Sequence, residues 1–373
     1  MLAAGRIGAQ QIPPSIEFRV PKPPTVAVSD SGAFVAYELH VTNLTATSYT
    51  LRRVEILDAD KHGAPLMTLA DSDLARSLAR PAPIIPAAQR TQIGPGLRAY
   101  VYVWMPVNRN AAPARLEHRL TFERSVPDSV ARGGVETVVL DGTIIPVERE
   151  AVSISPPVRG EWAAFNGPAN SSGHRRLVLA LEGHVAIGQR FAIDFLQVDS
   201  TGKSYRGDPT QNASYFAYGT ELLAVADGVI AATKDGIPQN VPGANSRAVP
   251  ITIETVGGNF VAIDIGKGRY ALYAHVQPGS LRVKVGDRVK RGQVVALLGN
   301  SGNSTEPHVH FQIADGPTFL SSEGMPYAME SFDVVGRCGI DAGPPASVKC
   351  SRTTPVPVKN GIPLQNEIVR FPK

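Results

Sequence analysis

Apolar residues that alternate with polar ones, in runs cut short by Gly, Pro, Asn or Asp, constrain this chain more than any other feature. In AFVAYELHVTN (33–43), Val35, Tyr37, Leu39 and Val41 fall on one face and Glu38, His40 and Thr42 on the other, the pattern of a half-buried strand. LRAYVYVWMPV (97–107), ARLEHRLTFE (114–123) and VETVVLDGTIIPV (135–147) are further strand-like runs. Only LADSDLARSLA (69–79) offers a helix among them. Short strands at this spacing predict an immunoglobulin-like β-sandwich over residues 1–150, followed by a stiff crossing segment through Pro156 and Pro157. His40, His62 and His118 have no common spacing and are expected at the surface.

From about residue 160 the turns tighten and become glycine-rich. ELLAVADGVIAAT (221–233) places Asp227-Gly228 between two apolar runs, a hairpin signal. ITIETVGGNFVAIDIGKGRYALYAHV (251–276) reads as three strands, LRVKVGDRVKRGQVVALLGNSG (281–302) as two more, and HVHFQIAD (308–315) as the next. The expected fold is mainly β, with an antiparallel sheet or partly closed barrel in a second domain over 151–373.

The chain has 373 residues, 43% hydrophobic and 19% charged, with a net charge of +4. That suits a folded protein of two domains. The basic residues are scattered, without a Lys/Arg run interleaved with aromatics. Nucleic acid is therefore not an expected partner, and an anionic surface such as cell wall is compatible. No apolar run reaches the eighteen or so residues of a transmembrane segment. MLAAGRIGAQQIPPS at the start lacks the apolar core of a signal peptide and reads as the stub of a processed or mis-started leader. Cys338 and Cys350 bracket a Gly/Pro-rich loop, which fits a disulfide stapling an irregular tail in an oxidising compartment. Nothing in the sequence sets an oligomeric state.

Three stretches carry chemistry. In QRFAIDF (189–195), Asp194 sits in an apolar strand, where a lone carboxylate is costly to bury unless paired or bound to a metal. In ALYAHVQPGS (271–280), Tyr273 and His275 are expected to share a strand face. His308 and His310 stand at i and i+2 on one strand, which sets their imidazoles side by side.

The order of these groups, with GTELLAVADGVI and the stretch from Tyr270 to Phe311, resembles the lysostaphin/LytM-type zinc metallopeptidases over roughly residues 160–330. The resemblance implies that Asp194 and His310 bind one Zn²⁺. It gives His275 and His308 the catalytic work on the substrate and the metal-activated water. It places the turn GNSGNST (299–305) at the substrate groove, so Asn300, Ser301 and Asn303 are expected to bind peptide, with Tyr273 nearby, while Arg190, with Arg175 and Arg176, raises the positive potential and is expected to steer or hold a peptide carboxylate. One departure matters. The family's usual first ligand, four residues before the Asp, is here Arg190, which has no lone pair to give. EWAAFNGPANSSGHRR (161–176) resembles a variant in which that His lies further upstream, so His174 is the expected third ligand and His184 the runner-up. The resemblance implies a secreted or periplasmic zinc endopeptidase of the cell envelope that cuts the peptide of peptidoglycan. The alternative is a degenerate domain that binds cell wall, or activates another hydrolase, without catalysis.

Overall fold

The computed structural model describes residues 13–372 apart from 62, 81–84, 87, 88, 127–133, 143 and 342–346. The expected leader stub, up to residue 12, and His62 therefore lie outside the described residues. The chain divides into two compact units. One comprises Met1–Pro24, Val35–Met105 and Asn110–Glu148; the other comprises Thr25–Phe34, Pro106–Arg109 and Arg149–Lys373.

The first unit is built on two sheets. One runs in the order Ile16–Arg19, Gly32–Asn43, Arg98–Val107, Leu78–Ala79, and the other in the order Gly134–Asp141, Arg115–Val126, Tyr49–Asp58, Met67–Ala70. Leu39, Val41 and Val101 of the first meet Leu51, Val54, Leu120 and Phe122 of the second in one core. The expected helix spans Asp71–Ser77 and adds Leu74 to that core. The surface placement of His40 and His118 is corrected. They are 4% and 2% exposed, the first edge-on to Tyr100 and the second hydrogen-bonded through Nε2 to the Tyr37 hydroxyl at 2.8 Å. Alternation marks one face of a strand as polar, and here Glu38, His40 and Thr42 on that face are covered as well.

The second unit carries a sheet in the order Val152–Ile154, Tyr327–Asp341, Glu367–Phe371, Gly160–Phe165, Ile193–Leu196, Val309–Ala314, Tyr270–Val276, Asn259–Asp264, Gly228–Lys234, Arg288–Val289. Apart from a parallel pairing at Val152–Ile154, the pairings along this path are antiparallel. Two expectations are corrected. Glu221–Leu223 pairs with Val294–Leu297 in a separate two-stranded sheet, while Gly228–Lys234 joins the main one. Asp227 does not turn a hairpin; its carboxylate accepts from the Arg291 N–H and the Lys290 ammonium. Residues 251–255 form a turn closed by Thr252 and Thr255 hydroxyls, with Ile251 and Ile253 exposed, so only two strands remain of the three expected there.

The Cys338–Cys350 disulfide is present. It does not staple an irregular tail. The two cysteines face each other in register on the paired strands Tyr327–Asp341 and Ser347–Gly361.

Candidate metal centre

Residues directly opposite on neighbouring strands share a face. Phe165 pairs with Asp194, Asp194 with His310, and His310 with Ala274, so one row across four strands carries the carboxylate and an imidazole side by side. His310 Nδ1 lies 2.9 Å from Asp194 Oδ1. His174 arrives from the short helical turn Gly173–Arg176, with Nε2 3.4 Å from Asp194 Oδ2. His308 Nε2 lies 3.6 Å from Asp194 Oδ1. One ligand atom from each of His174, Asp194 and His310 falls within 4.8 Å of the other two.

His275 reaches this cluster by a break in its strand. Asn259 pairs with Val276 but Val261 with Tyr273, so two residues, Ala274 and His275, oppose Phe260 alone, and His275 has φ of 62°. This bulge re-aims the side chain. Its ring stands 4.7 Å from that of His308 and 6.0 Å from that of His310. Tyr273 stays on the opposite face, against Phe311 at 5.2 Å. The two therefore do not share a face as expected. Tyr273 is fully buried, and its hydroxyl is taken by Leu223 O and the Val225 N–H, so it is a core residue and does not line the groove.

The second nitrogens of three histidines are fixed by acceptors. Gln312 Nε2 donates to Gly188 O at 3.0 Å and Phe319 O at 3.4 Å, which turns its Oε1 to His310 Nε2 at 2.8 Å. His310 Nε2 therefore carries hydrogen, and neutral Nδ1 presents a lone pair to the site. His275 Nδ1–H donates to Ser301 O at 2.8 Å, and His308 Nδ1–H to Glu306 O at 2.8 Å. Asn166 Nδ2 donates to Asp194 Oδ2 at 2.8 Å. A lone pair on His310 Nδ1 and a carboxylate oxygen at hydrogen-bond distance are both acceptors, and a proton or cation must lie between them. Two imidazole nitrogens and one carboxylate oxygen are a donor set that suits zinc, so the residues fit the ion the sequence implies.

Electrostatics separates the groups. Burial raises the Asp194 carboxyl, but the charges of His174 and His308 and the hydrogen bond from His308 outweigh it and hold it well below the usual range. Burial and the neighbouring imidazoles His308 and His310 push His275 well below the ordinary histidine value. His174 is lowered, chiefly by burial. His308 is raised: burial lowers it, and the Asp194 charge and hydrogen bond more than offset that.

His174, Asp194, His275, His308 and His310 open on one cavity of about 290 Å³, with Asn303 also on its wall. Three residues expected at the substrate are placed elsewhere. Asn300 is fully buried and spends its Nδ2 on Asn212 Oδ1 and Asn240 O. Ser301 is fully buried too; its hydroxyl donates to Val276 O and its carbonyl orients His275. Arg190 is 5% exposed and is held by Glu323 and Gly324 O, both at 2.9 Å. Each was drawn from a polar turn or a charge in sequence, and here the fold uses that polarity internally. His184 opens the second strand of the hairpin Leu179–Leu181/His184–Ala186, exposed and bonded to Ser321 O, away from the cluster. Asn166, Gln312 and Arg247 are at or behind the site and were not singled out in the sequence. Gln312 had a signal, lying two residues beyond His310 on the same strand face. Asn166 and Arg247 sit in loops with none.

The cluster is a candidate metal centre, a His/Asp/His set flanked by two further histidines. Residues 213–320 match the model of peptidase family M23, so the resemblance to lysostaphin/LytM-type peptidases is borne out over that stretch. The match contains His275, His308 and His310; His174 and Asp194 lie upstream of it. The chain is similar to peptidoglycan DD-endopeptidase ShyC of Vibrio cholerae, 29% identical over 33% of this chain and 26% of that protein. It is similar to glycyl-glycine endopeptidase ALE-1 of Staphylococcus capitis, 44% identical over 15% of each chain. The catalytic domain of lysostaphin from Staphylococcus simulans aligns at 21% identity over 44% of this chain and 88% of that one, with a TM-score of 0.24. The chain thus spans about a quarter or less of the curated relatives' length.

Proposed function

We propose that this protein is a zinc-dependent endopeptidase that hydrolyses peptide bonds of bacterial peptidoglycan. The observation that carries this is the convergence of His174, Asp194 and His310 beside His275 and His308 in one cavity. Relatives named as DD- and glycyl-glycine endopeptidases support the peptide part of the wall as substrate. His174, Asp194 and His310 would hold Zn²⁺, which when bound would supply Lewis acidity and bring the pKa of a water molecule toward about 7. His275, kept neutral and with Nδ1–H spent on Ser301 O, offers Nε2 to accept a proton. His308, raised and with Nδ1–H spent on Glu306 O, offers Nε2–H to the peptide oxygen as charge develops there. Asn303, exposed on the cavity wall, is placed to bind substrate backbone.

A disulfide and a cell-wall-acting family support a site of action outside the cytoplasm, secreted or periplasmic. Among the described residues, no helix is long and apolar enough to cross a membrane. The two-sheet N-terminal unit is read as an immunoglobulin-like module that positions the catalytic domain or binds a partner.

The test is zinc per chain, by elemental analysis of chelator-free protein, alongside digestion of purified peptidoglycan. One zinc per chain and peptide-bond cleavage are expected. His308→Ala should keep zinc and lose turnover by roughly 10²-fold or more, whereas His310→Ala should lose both. The degenerate reading, which rests on Arg190 in a usual ligand position, requires the opposite: wall binding with no zinc and no cleavage.

A further inference from the structure

The proposed chemistry leaves one cation on the cavity wall without a task. Arg247 is half-buried and lines the same cavity as His174, Asp194, His275, His308 and His310. Its NH1 donates to Ala244 O at 3.1 Å, while its Nε is buried with no hydrogen-bond partner among the described residues. A buried guanidinium N–H without an acceptor is costly, and a guanidinium on a cavity wall matches a carboxylate in charge and in hydrogen-bond geometry. The internal carboxylate of the cavity, Asp194, is already engaged by His174, His308, His310 and Asn166.

The position of Arg247 is also fixed. Its loop is tied to the turn that precedes His308: Asn240 Nδ2 donates to Gly302 O and Ser304 O, the Ala248 N–H to Asn240 Oδ1, and the Gly243 N–H to Thr305 O, all at 2.8–2.9 Å. A cation held in register with the reacting groups loses little freedom on binding. The arginines of the 174–176 turn and Arg190 are committed to protein partners, Asn170 and Glu323 among them.

We propose that Arg247 is a specificity-determining residue that binds a free carboxylate on the substrate peptide beside the scissile bond. The preferred substrate is then a carboxylate-bearing peptide, in preference to an uncharged one such as an oligoglycine bridge. This rests on the endopeptidase reading above.

The experiment uses the full zinc-loaded chain and two peptides that differ only in whether the carboxylate next to the scissile bond is free or amidated. Turnover is measured for both, and binding is measured by calorimetry with their non-hydrolysable analogues. Wild type should favour the acid by roughly 10- to 100-fold, the scale of one charge-assisted pair, mostly in KM and in binding. Arg247→Gln should bring the acid-to-amide ratio close to one, and Arg247→Lys should keep part of it. An unchanged ratio in Arg247→Gln, or equal losses on both peptides, overturns the proposal. A wild type that binds the acid preferentially through Arg247 but cuts neither peptide overturns the endopeptidase reading and leaves the carboxylate site standing. If Arg247→Gln fails to fold, the Arg247→Lys ratio and the wild-type acid preference decide.

Discussion

Gln312 shows how much of the centre depends on a single amide. Its Nε2 is committed to two carbonyls, so its oxygen can only accept, and this leaves His310 with its lone pair at Nδ1. Gln312→Ala should therefore weaken zinc affinity by about 10- to 100-fold while His310 itself is intact, read by competition with a chromogenic chelator. Asp194 and His310 of the candidate centre stood out in sequence, as a carboxylate inside an apolar strand and one of two imidazoles at i and i+2, whereas His174 came only from the family resemblance. Tyr273, Asn300, Ser301 and Arg190 were misplaced because sequence gives polarity but not who consumes it. Ser301 is the instructive case, a polar turn residue whose carbonyl orients His275 while its side chain never meets solvent.

At the scale of elements, the site depends on a close contact between two turns. Gly258 has φ of 63°, and a Cβ there would come within 2.5–2.6 Å of Ser301 backbone and hydroxyl; a Cβ on Gly302, φ 72°, would meet Gly258 N at 2.3 Å. Only glycine accepts both the left-handed backbone and the approach. Gly258→Ala should cost roughly 1–3 kcal/mol of stability, and by pushing Ser301 away from His275 it should lower turnover more than zinc content. Thermal unfolding beside zinc and activity assays checks this, and an equal loss of zinc and turnover would speak against the route through His275. The glycines were read as turn signals, which they are, but the contact between turns forty residues apart leaves no trace in local pattern. Nor does the bulge at Ala274–His275, which broke the two-residue period just where the site needed a side chain turned over. The strand Val309–Ala314, by contrast, was legible because its alternation runs unbroken.

For the whole molecule, the first unit has its own pH response. Burial holds His118 down to about 4, against about 6.5 when unfolded. The unfolded chain then takes up a proton first as pH falls. Stability from this group is complete above pH 6.5 and is lost as pH drops through 4, about 3 kcal/mol in all. Urea unfolding of the first unit at pH 7.5 and 4.5 should show that slope, and His118→Gln should flatten it. The second unit should respond to redox instead. Its Cys338–Cys350 bond closes a loop of twelve residues' separation, worth about 3 kcal/mol in the chain-entropy account, so a phosphine reductant should lower the melting of that unit and spare the first. The strand-rich character of both units was visible as a texture of sequence. The allotment of Thr25–Phe34 and Pro106–Arg109 to the second unit was not, because a segment's partners hundreds of residues away do not alter its own composition.

The strand Glu367–Phe371 lies between Gly160–Phe165 and Tyr327–Asp341, in the interior of the sheet that carries Asp194 and His310. On a ribosome, where residues emerge in order, His174 and Asp194 leave the tunnel about two hundred positions ahead of the segment that closes their sheet. Vectorial assembly is therefore closed to this domain. Until residue 371 is available, the Gly160–Phe165 strand has one open edge, and the sheet stays unfinished through most of synthesis.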